Sequence, residues 1–232
     1  MNRLALGGIL RGERHGQSYR ILEELAGSGE DRLFRARGQG QPVTIRVAPA
    51  PALATELAWS ERLPAGLLPP ILDLDHSGPD GLAFLVRALP ACETLTDRLV
   101  SGPLPSPAVA QLGEELARLL GTLHRLGGGL LSLEPGRVAW DAERQRWWLL
   151  SLPVESSGER ARGRDLARLA RLLRSTGGLT WEMNWAVAAA ATGRLDGIGS
   201  FLGLWRRRWS WTLGAILTGL ALFLLGLVVR FG

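Results

Sequence analysis

The chain has 232 residues, 46% hydrophobic and 21% charged, so it can bury a core and is neither disordered nor fibrous. Its formal charge is +5, and all 27 Lys or Arg positions are arginine. The absence of lysine excludes chemistry that needs an ammonium group, such as Schiff-base formation or a lysine that holds ATP phosphates. One cysteine, Cys92, and three scattered histidines predict no intramolecular disulfide and no metal centre.

The first part of the chain has the pattern of strands separated by turns. Residues 19–47 predict three strands, because β-suited residues alternate with polar ones between glycine-rich turns. A short helix is predicted over 52–63, ended by Pro64. Two further strands are predicted on either side of the turn at 77–81.

Helices dominate the second part of the chain. Ser106 is a suitable N-cap for a long amphipathic helix, whose apolar stripe comprises Leu112, Leu116, Leu119, Leu120 and Leu123. Residues 137–152 predict a hairpin, and 164–174 and 181–191 predict two more helices. Strands that precede helices, with one helix among the strands, favour an α+β fold.

A segment near the C-terminus predicts a transmembrane helix. From Trp209 to Val229 the chain runs for 21 residues without a charge, about 31 Å as a helix, which matches the hydrocarbon core of a bilayer. Three arginines precede this segment, so we expect a single-pass protein of the cell (inner) membrane with residues 1–208 in the cytoplasm and the C-terminus outside. The predicted membrane interface comprises Trp205, Arg206, Arg207, Arg208, Trp209 and Trp211.

Small residues within the predicted span form a surface that another helix can approach closely. They are spaced four apart, as two small-xxx-small pairs: Gly214 with Thr218, and Ala215 with Gly219. The expected partners are therefore other membrane proteins of a complex, together with membrane lipids. No nucleic acid is expected, because the basic residues lack interleaved aromatic ones.

Three stretches resemble, in order, the protein-kinase superfamily. Residues 19–47 resemble the first strands of its small lobe, 68–99 the strands that lead into the hinge, and 112–141 the long large-lobe helix and the catalytic loop. The resemblance covers about residues 19–175 and implies a two-lobed protein-kinase-like fold with an abridged large lobe. It places an N-terminal arm at 1–18, the small lobe at about 19–90, the large lobe at about 91–204 and the membrane anchor at 205–232.

Position by position, the resemblance implies that the catalytic groups are replaced. The lysine of the third strand corresponds to Arg46, and its helix partner to Glu56, so a structural Arg46–Glu56 pair is expected. The catalytic aspartate corresponds to Ser132, the metal-binding asparagine to Arg137, and the aspartate of the D-F-G segment to Ser151. With both aspartates and the asparagine replaced, no group remains to hold Mg²⁺ or to accept a substrate proton. We therefore expect a catalytically dead pseudokinase without a cofactor.

Other positions agree with this interpretation. Asp31 lies in the segment that corresponds to the glycine-rich loop, where a carboxylate repels phosphate, and Arg87 borders the expected adenine pocket. Asp165 corresponds to the family's buried aspartate in the helix after the activation segment. About a dozen residues separate Ser151 from that helix, which leaves no room for an activation segment.

Two surface features are candidates for partner or lipid contact. Arg164, Arg168 and Arg171 form a basic stripe at helical spacing, which either meets anionic lipid or an acidic partner or is only a solvated face. Trp147 and Trp148 must point to opposite faces of a strand, so at least one is expected to be exposed unless a lobe junction covers it. By contrast, Trp181 and Trp185 are expected to pack together as one helix face.

Two classes of function are compatible with these sequence features. The first is a non-catalytic, membrane-anchored scaffold or accessory subunit of a bacterial membrane complex. Its plan is similar to that of the EssB/YukC-type subunits of type VII secretion machines, from which it is expected to differ by having no domain after its span. The alternative is a membrane-tethered regulator that binds a nucleotide or small ligand without turnover. An enzyme of unrelated chemistry lacks any nucleophile–base pair or carboxylate dyad to support it.

Overall fold

The computed structural model describes residues 6–12, 16–76, 81–89, 92–156 and 159–206. The predicted span at 209–229 lies outside these residues, as do Arg207, Arg208, Trp209, Trp211 and the small residues Gly214, Ala215, Thr218 and Gly219. Among the helices that are described, none combines the length and the hydropathy needed to cross a membrane.

The N-terminal half folds into a six-stranded antiparallel sheet with one helix on its face. The strand order is β1-β2-β3-β4-β6-β5. These elements are β1 (Ile9–Arg11), β2 (Ser18–Ser28), β3 (Asp31–Gly38), β4 (Gln41–Ala48), α1 (Ala50–Arg62), β5 (Ile71–Asp75) and β6 (Ala83–Ala88). The sheet begins within the expected N-terminal arm, because Leu10 is apolar and buried beside Tyr19. The boundary predicted at residue 18 is therefore wrong.

Alternation along the strands decides which side chains face helix α1. In β4, Val43, Ile45 and Val47 join an apolar cluster on one face of the sheet. Arg46 therefore lies on the opposite face. The same alternation in β6 places Phe84 and Val86 in that cluster and sends Arg87 to the face that carries α1.

The C-terminal half packs around one long helix, α3. The elements are β7 (Cys92–Thr94), α2 (Leu95–Val100), α3 (Ser106–Arg125), β8 (Gly128–Leu130), β9 (Val138–Asp141), β10 (Arg146–Leu149), β11 (Val154–Ser156), α4 (Glu159–Ser175) and α5 (Trp181–Ala191), followed by a helical stretch at 198–206. Strands β9 and β10 form the expected hairpin, and β7 joins them. Helix α3 begins one residue before the predicted position, with Pro105 rather than Ser106 at the cap.

Trp205 belongs to the core of this half. It is 1% exposed, stacks on Phe201 with 5.3 Å between ring centroids, and donates from Nε1 to the Ala110 carbonyl at 2.9 Å. Its ring fits because Gly113 has no side chain; a Cβ there would lie 2.4 Å from the indole. The prediction that Trp205 marks a membrane interface is therefore wrong. Arg206 is exposed and forms an ion pair with Glu114 at 3.0 Å.

Candidate functional site

Glu56 is the centre of a buried ionic network between the two halves. This side chain on α1 is fully buried, and its two oxygens accept from arginines on two different strands. Arg46 donates to Oε2 at 2.5 Å, and Arg87 donates to Oε1 at 2.8 and 3.1 Å. The backbone N–H of Leu152, in the C-terminal half, also donates to Oε1 at 3.0 Å. The expected Arg46–Glu56 pair is thus present, and one carboxylate links both lobes.

A second carboxylate extends the network across the cleft. Asp31, at the start of β3, accepts two hydrogen bonds of 2.9 Å from Nε and Nη2 of Arg46. From the opposite lobe, Arg137 donates to Asp31 at 3.3 Å and to Ser151 Oγ at 2.7 Å. Arg46 and Arg137 are both buried, so the cleft holds these charges as paired groups.

The charges in the network stabilise one another's ionised form. Burial alone raises the pKa of Glu56, but Arg87 and Arg46 outweigh it and hold the pKa below its ordinary value. Burial also raises the pKa of Asp31, whereas hydrogen bonds and charge from Arg46 and Arg137 lower it, again to a net decrease. Both carboxyl groups are therefore ionised at neutral pH.

Apolar side chains from both halves pack against one another beside this network. A cluster of five buried residues comes from both lobes and from the linker between them: Leu33, Leu89, Ala139, Trp148 and Leu150. Leu25 and Ala26 of β2 pack against this cluster. At its edge the 3-10 turn at Pro135–Arg137 touches β2 directly, because a Cβ added to Gly136 would lie 1.7 Å from the Leu25 carbonyl oxygen. The lobes are therefore in contact where a nucleotide is expected in the kinase fold.

The residues at the expected catalytic positions do not fit a magnesium nucleotide. Ser132 Oγ is buried without a hydrogen-bond partner among the described residues. The guanidinium of Arg137 lies beside Ser151, which places a cation between the two positions that the resemblance assigned to metal ligands. Within the ranges that the structure describes, no group of three or more His, Cys, Asp or Glu residues could hold a metal ion.

Asp165 anchors the loop that corresponds to the catalytic loop. This buried side chain on α4 accepts from the Leu130 backbone N–H at 3.1 and 3.2 Å and lies 2.9 Å from His124 Nε2. Arg168 donates to Asp165 at 3.1 Å and to the Leu130 carbonyl. The loop backbone is therefore fixed by an aspartate at the position that the resemblance indicated.

This arrangement corrects the predicted basic stripe. Arg168 is mostly buried and binds the loop backbone, so neither alternative for the stripe, contact with a partner or lipid or a solvated face, describes this side chain. Arg164 is exposed but forms an ion pair with Glu155 at 2.9 Å. Arg171 is exposed. Spacing alone could not separate these three, since the loop that engages Arg168 is distant in sequence.

Of the two alternatives for the tryptophans of β10, exposed or covered, the structure shows the covered one. Trp147 and Trp148 do point to opposite faces of β10, but both are buried. Trp147 packs against Trp140 in the core around α3, and Trp148 belongs to the cleft cluster, where Arg146 stacks on it at 4.1 Å. The exposed pair is instead Trp181 and Trp185, which do not pack as a buried helix face.

Comparison with known proteins identifies the fold. No protein-family model and no curated protein matches the chain. Among solved structures, the chain is similar to the one described as "Structure of vaccinia related kinase 3", with a TM-score of 0.56 over 89% of this chain and 76% of that chain, at 15% identity. The chain therefore has a protein-kinase-like α+β fold, with the strand-rich half as its small lobe and the α3-centred half as its large lobe.

Proposed function

We propose that this chain is a non-catalytic, membrane-anchored pseudokinase that serves as a scaffold or accessory subunit of a bacterial membrane protein complex. The observation that carries the proposal is the filled cleft: buried arginine–carboxylate pairs and an apolar cluster occupy the space between the lobes. A protein that retains the kinase-like fold but fills its nucleotide cleft is suited to binding partners, not to phosphoryl transfer.

Catalytic inactivity follows from the chemistry of phosphoryl transfer. That reaction needs metal ions to neutralise the phosphates and a carboxylate to accept the substrate hydroxyl proton. At the corresponding positions this chain has Ser132, Arg137 and Ser151, none of which can perform either task. Only residues 152–158 separate Ser151 from α4, which also leaves little chain for a peptide-docking platform.

The ionic network makes the junction between the lobes rigid. Glu56 of the small lobe accepts from Leu152 of the large lobe, and Asp31 accepts from Arg137. Active kinases close and open this cleft around a nucleotide, whereas these buried bonds hold one relative position of the lobes. A fixed two-lobed body presents a constant surface, which supports a role in assembly.

The sequence beyond the described residues supports membrane anchoring. The uncharged segment from Trp209 to Val229 follows three arginines, which favours an inner-membrane helix with the kinase-like domain in the cytoplasm. Its small-residue pairs suit contact with other spans, so the partners proposed are membrane proteins and lipids. The filled cleft counts against the alternative, a tethered regulator that binds a nucleotide.

Affinity purification of the full chain from its native membranes in mild detergent, followed by mass spectrometry, tests this function. We expect a stoichiometric membrane protein with several spans. In the variant Gly214→Leu/Gly219→Leu this partner should be lost, because the small-residue surface is blocked, while the conservative control Leu217→Ile should retain it. Recovery of the chain alone, or a partner unaffected by blocking the surface in a chain that still enters the membrane, would overturn the proposed docking.

A further inference from the structure

Two tryptophans on α5 have most of their side-chain surface exposed to solvent. Trp181 is 75% exposed and Trp185 is 62% exposed, and their i, i+4 spacing places them on one face of the helix. The other described tryptophans with large buried surfaces, such as Trp147 and Trp205, lie in the core. Two neighbouring exposed indoles leave a large apolar area in contact with water, which is unfavourable. They therefore indicate a surface that contacts an apolar environment.

The tryptophan pair lies at the end of the large lobe from which the chain departs toward the predicted span. The loop before α5 packs on the start of α3, since a Cβ on Gly178 would lie 1.8 Å from the Leu104 carbonyl oxygen and 3.1 Å from Val109. The end of the described chain packs on the next residues of the same helix, through the hydrogen bond from Trp205 to Ala110. Trp181 and Arg206 therefore share one end of the lobe.

The length of the connection places this end close to the bilayer. Only three residue steps separate Arg206 from Trp209, the first residue of the uncharged segment. Even fully extended, three residues reach no more than about 10 Å. If Trp209 begins the membrane span, Arg206 and the surface around it lie at the depth of the lipid headgroups.

Two exposed arginines lie near the end of α4, before the loop that leads to Trp181. The carbonyl of Arg174 accepts from the N–H of Gly177 at 3.4 Å, so Arg174 borders the loop that leads to Trp181. Arg171, one turn earlier on α4, is also exposed. Indoles favour the boundary between headgroups and acyl chains, and arginines close to an anionic surface are attracted to it.

We propose that Trp181 and Trp185, assisted by Arg171 and Arg174, insert into the cytoplasmic interface of an anionic bilayer and fix the orientation of the kinase-like domain on the membrane. This proposal rests on the proposed function, because it requires the span to bring the domain to the lipid. The occupant of this surface is lipid and not a protein partner.

Depth-dependent quenching on the full chain tests the proposal. A Cys92→Ser, Asn184→Cys variant carries an environment-sensitive fluorophore on α5 next to the tryptophans and is reconstituted into vesicles of phosphatidylglycerol and phosphatidylcholine. Nitroxide lipids labelled near the glycerol backbone should quench the label at 184 several-fold more than a label at the exposed control site of an Ala54→Cys variant on α1. Adding Trp181→Ser and Trp185→Ser should reduce quenching at 184 to the control level.

Alkaline extraction of the same vesicles separates the two proposals. If the chain resists extraction but the label at 184 is quenched no more than the label at 54, the span is present and the tryptophan contact is wrong. If the chain is extracted, the membrane anchor fails and the contact fails with it.

If the label is shielded in native membranes but not in pure lipid vesicles, the pair binds a protein and the lipid proposal is overturned. Weaker quenching in vesicles of phosphatidylcholine alone would support the part assigned to the arginines.

Discussion

Arg46 shows why an arginine, and not a lysine, occupies its position in this protein. Its Nε and Nη2 bind both oxygens of Asp31, while Nη1 reaches Glu56. A planar guanidinium can serve two carboxylates in fixed directions, whereas an ammonium is a single point charge on a flexible stem. Arg46 therefore acts as a structural bridge between Asp31 and Glu56.

Removing the charge of Glu56 should strongly destabilise the protein. Glu56→Gln leaves Arg87 buried without its carboxylate and Arg46 with Asp31 alone, and breaking a buried ion pair in this way costs about 3–5 kcal/mol. Denaturant unfolding of the full chain in mild detergent measures this loss. The matched control is Glu61→Gln, an exposed position on the same helix, for which a change within about 0.5 kcal/mol is expected. Equal effects of the two substitutions would contradict the network's role.

Stability should fall in acid because of the same two carboxylates. The pKa values of Glu56 and Asp31 are lowered in the folded protein, so their contribution is fully present above the unfolded pKa values, about 4. As the pH falls below that and through the lowered folded values, both groups take up protons and the contribution is lost. Unfolding midpoints measured from pH 7 downward should decrease more steeply for the wild type than for Glu56→Gln. Parallel curves would contradict this expectation.

At the scale of elements, the contact between the Pro135–Arg137 turn and β2 closes the cleft. The backbone of Gly136 lies against the Leu25 carbonyl, with no space for a side chain. The turn lies in the segment that resembles a kinase catalytic loop, and β2 leads into the segment that resembles a glycine-rich loop. Direct packing of these two elements excludes a ligand between them.

Two glycine-to-alanine substitutions are expected to change the free energy of unfolding in opposite directions. The first tests this contact, and the second is its control. Gly136→Ala forces a methyl group onto the β2 backbone and should destabilise the chain by about 1–3 kcal/mol. Gly163→Ala, within α4, meets no atom within 4 Å and should stabilise it by about 0.5–1 kcal/mol through helix propensity. Both are measured by denaturant unfolding of the full chain in detergent. A neutral Gly136→Ala would mean that β2 and the turn are not in contact in solution.

At the scale of the whole molecule, buried bonds and the cleft cluster join two lobes that the fold otherwise connects through a linker. Leu89 of that linker belongs to the same apolar cluster as Trp148, so linker, sheet and hairpin share one interior. The domain is expected to unfold as one unit, with no separate response of the cleft to nucleotides.

The filled cleft predicts that nucleotides do not stabilise the full chain. A ligand at a hundred times its dissociation constant adds about 2.7 kcal/mol to the stability of a protein that binds it. We expect no change in the thermal unfolding midpoint with ATP or ADP, with or without Mg²⁺, while an active kinase measured in parallel shifts upward. A shift that is independent of the metal would instead favour the tethered regulator.

The sequence was sufficient to locate the backbone elements near the site, because period-2 and helical patterns are local. It placed Arg46 and Glu56 as partners and Asp165 as a buried aspartate of its helix, although only through the order of elements in a resembling family. It did not indicate that Arg87 shares Glu56 or that Arg137 reaches Asp31 across the cleft. Those pairs join residues far apart in sequence, and no local pattern records which of several arginines meets a given carboxylate.

The sequence by itself determined the charge inventory, the absence of lysine and the uncharged segment from Trp209 to Val229, since these depend only on which residues are present. Only the tertiary structure decided which large side chains are buried. Trp205 is covered because Gly113 leaves space for its ring, whereas Trp181 and Trp185 remain exposed because no described element packs over them. Burial is a property of neighbours brought together by the fold, and spacing along one helix or strand contains no information about them.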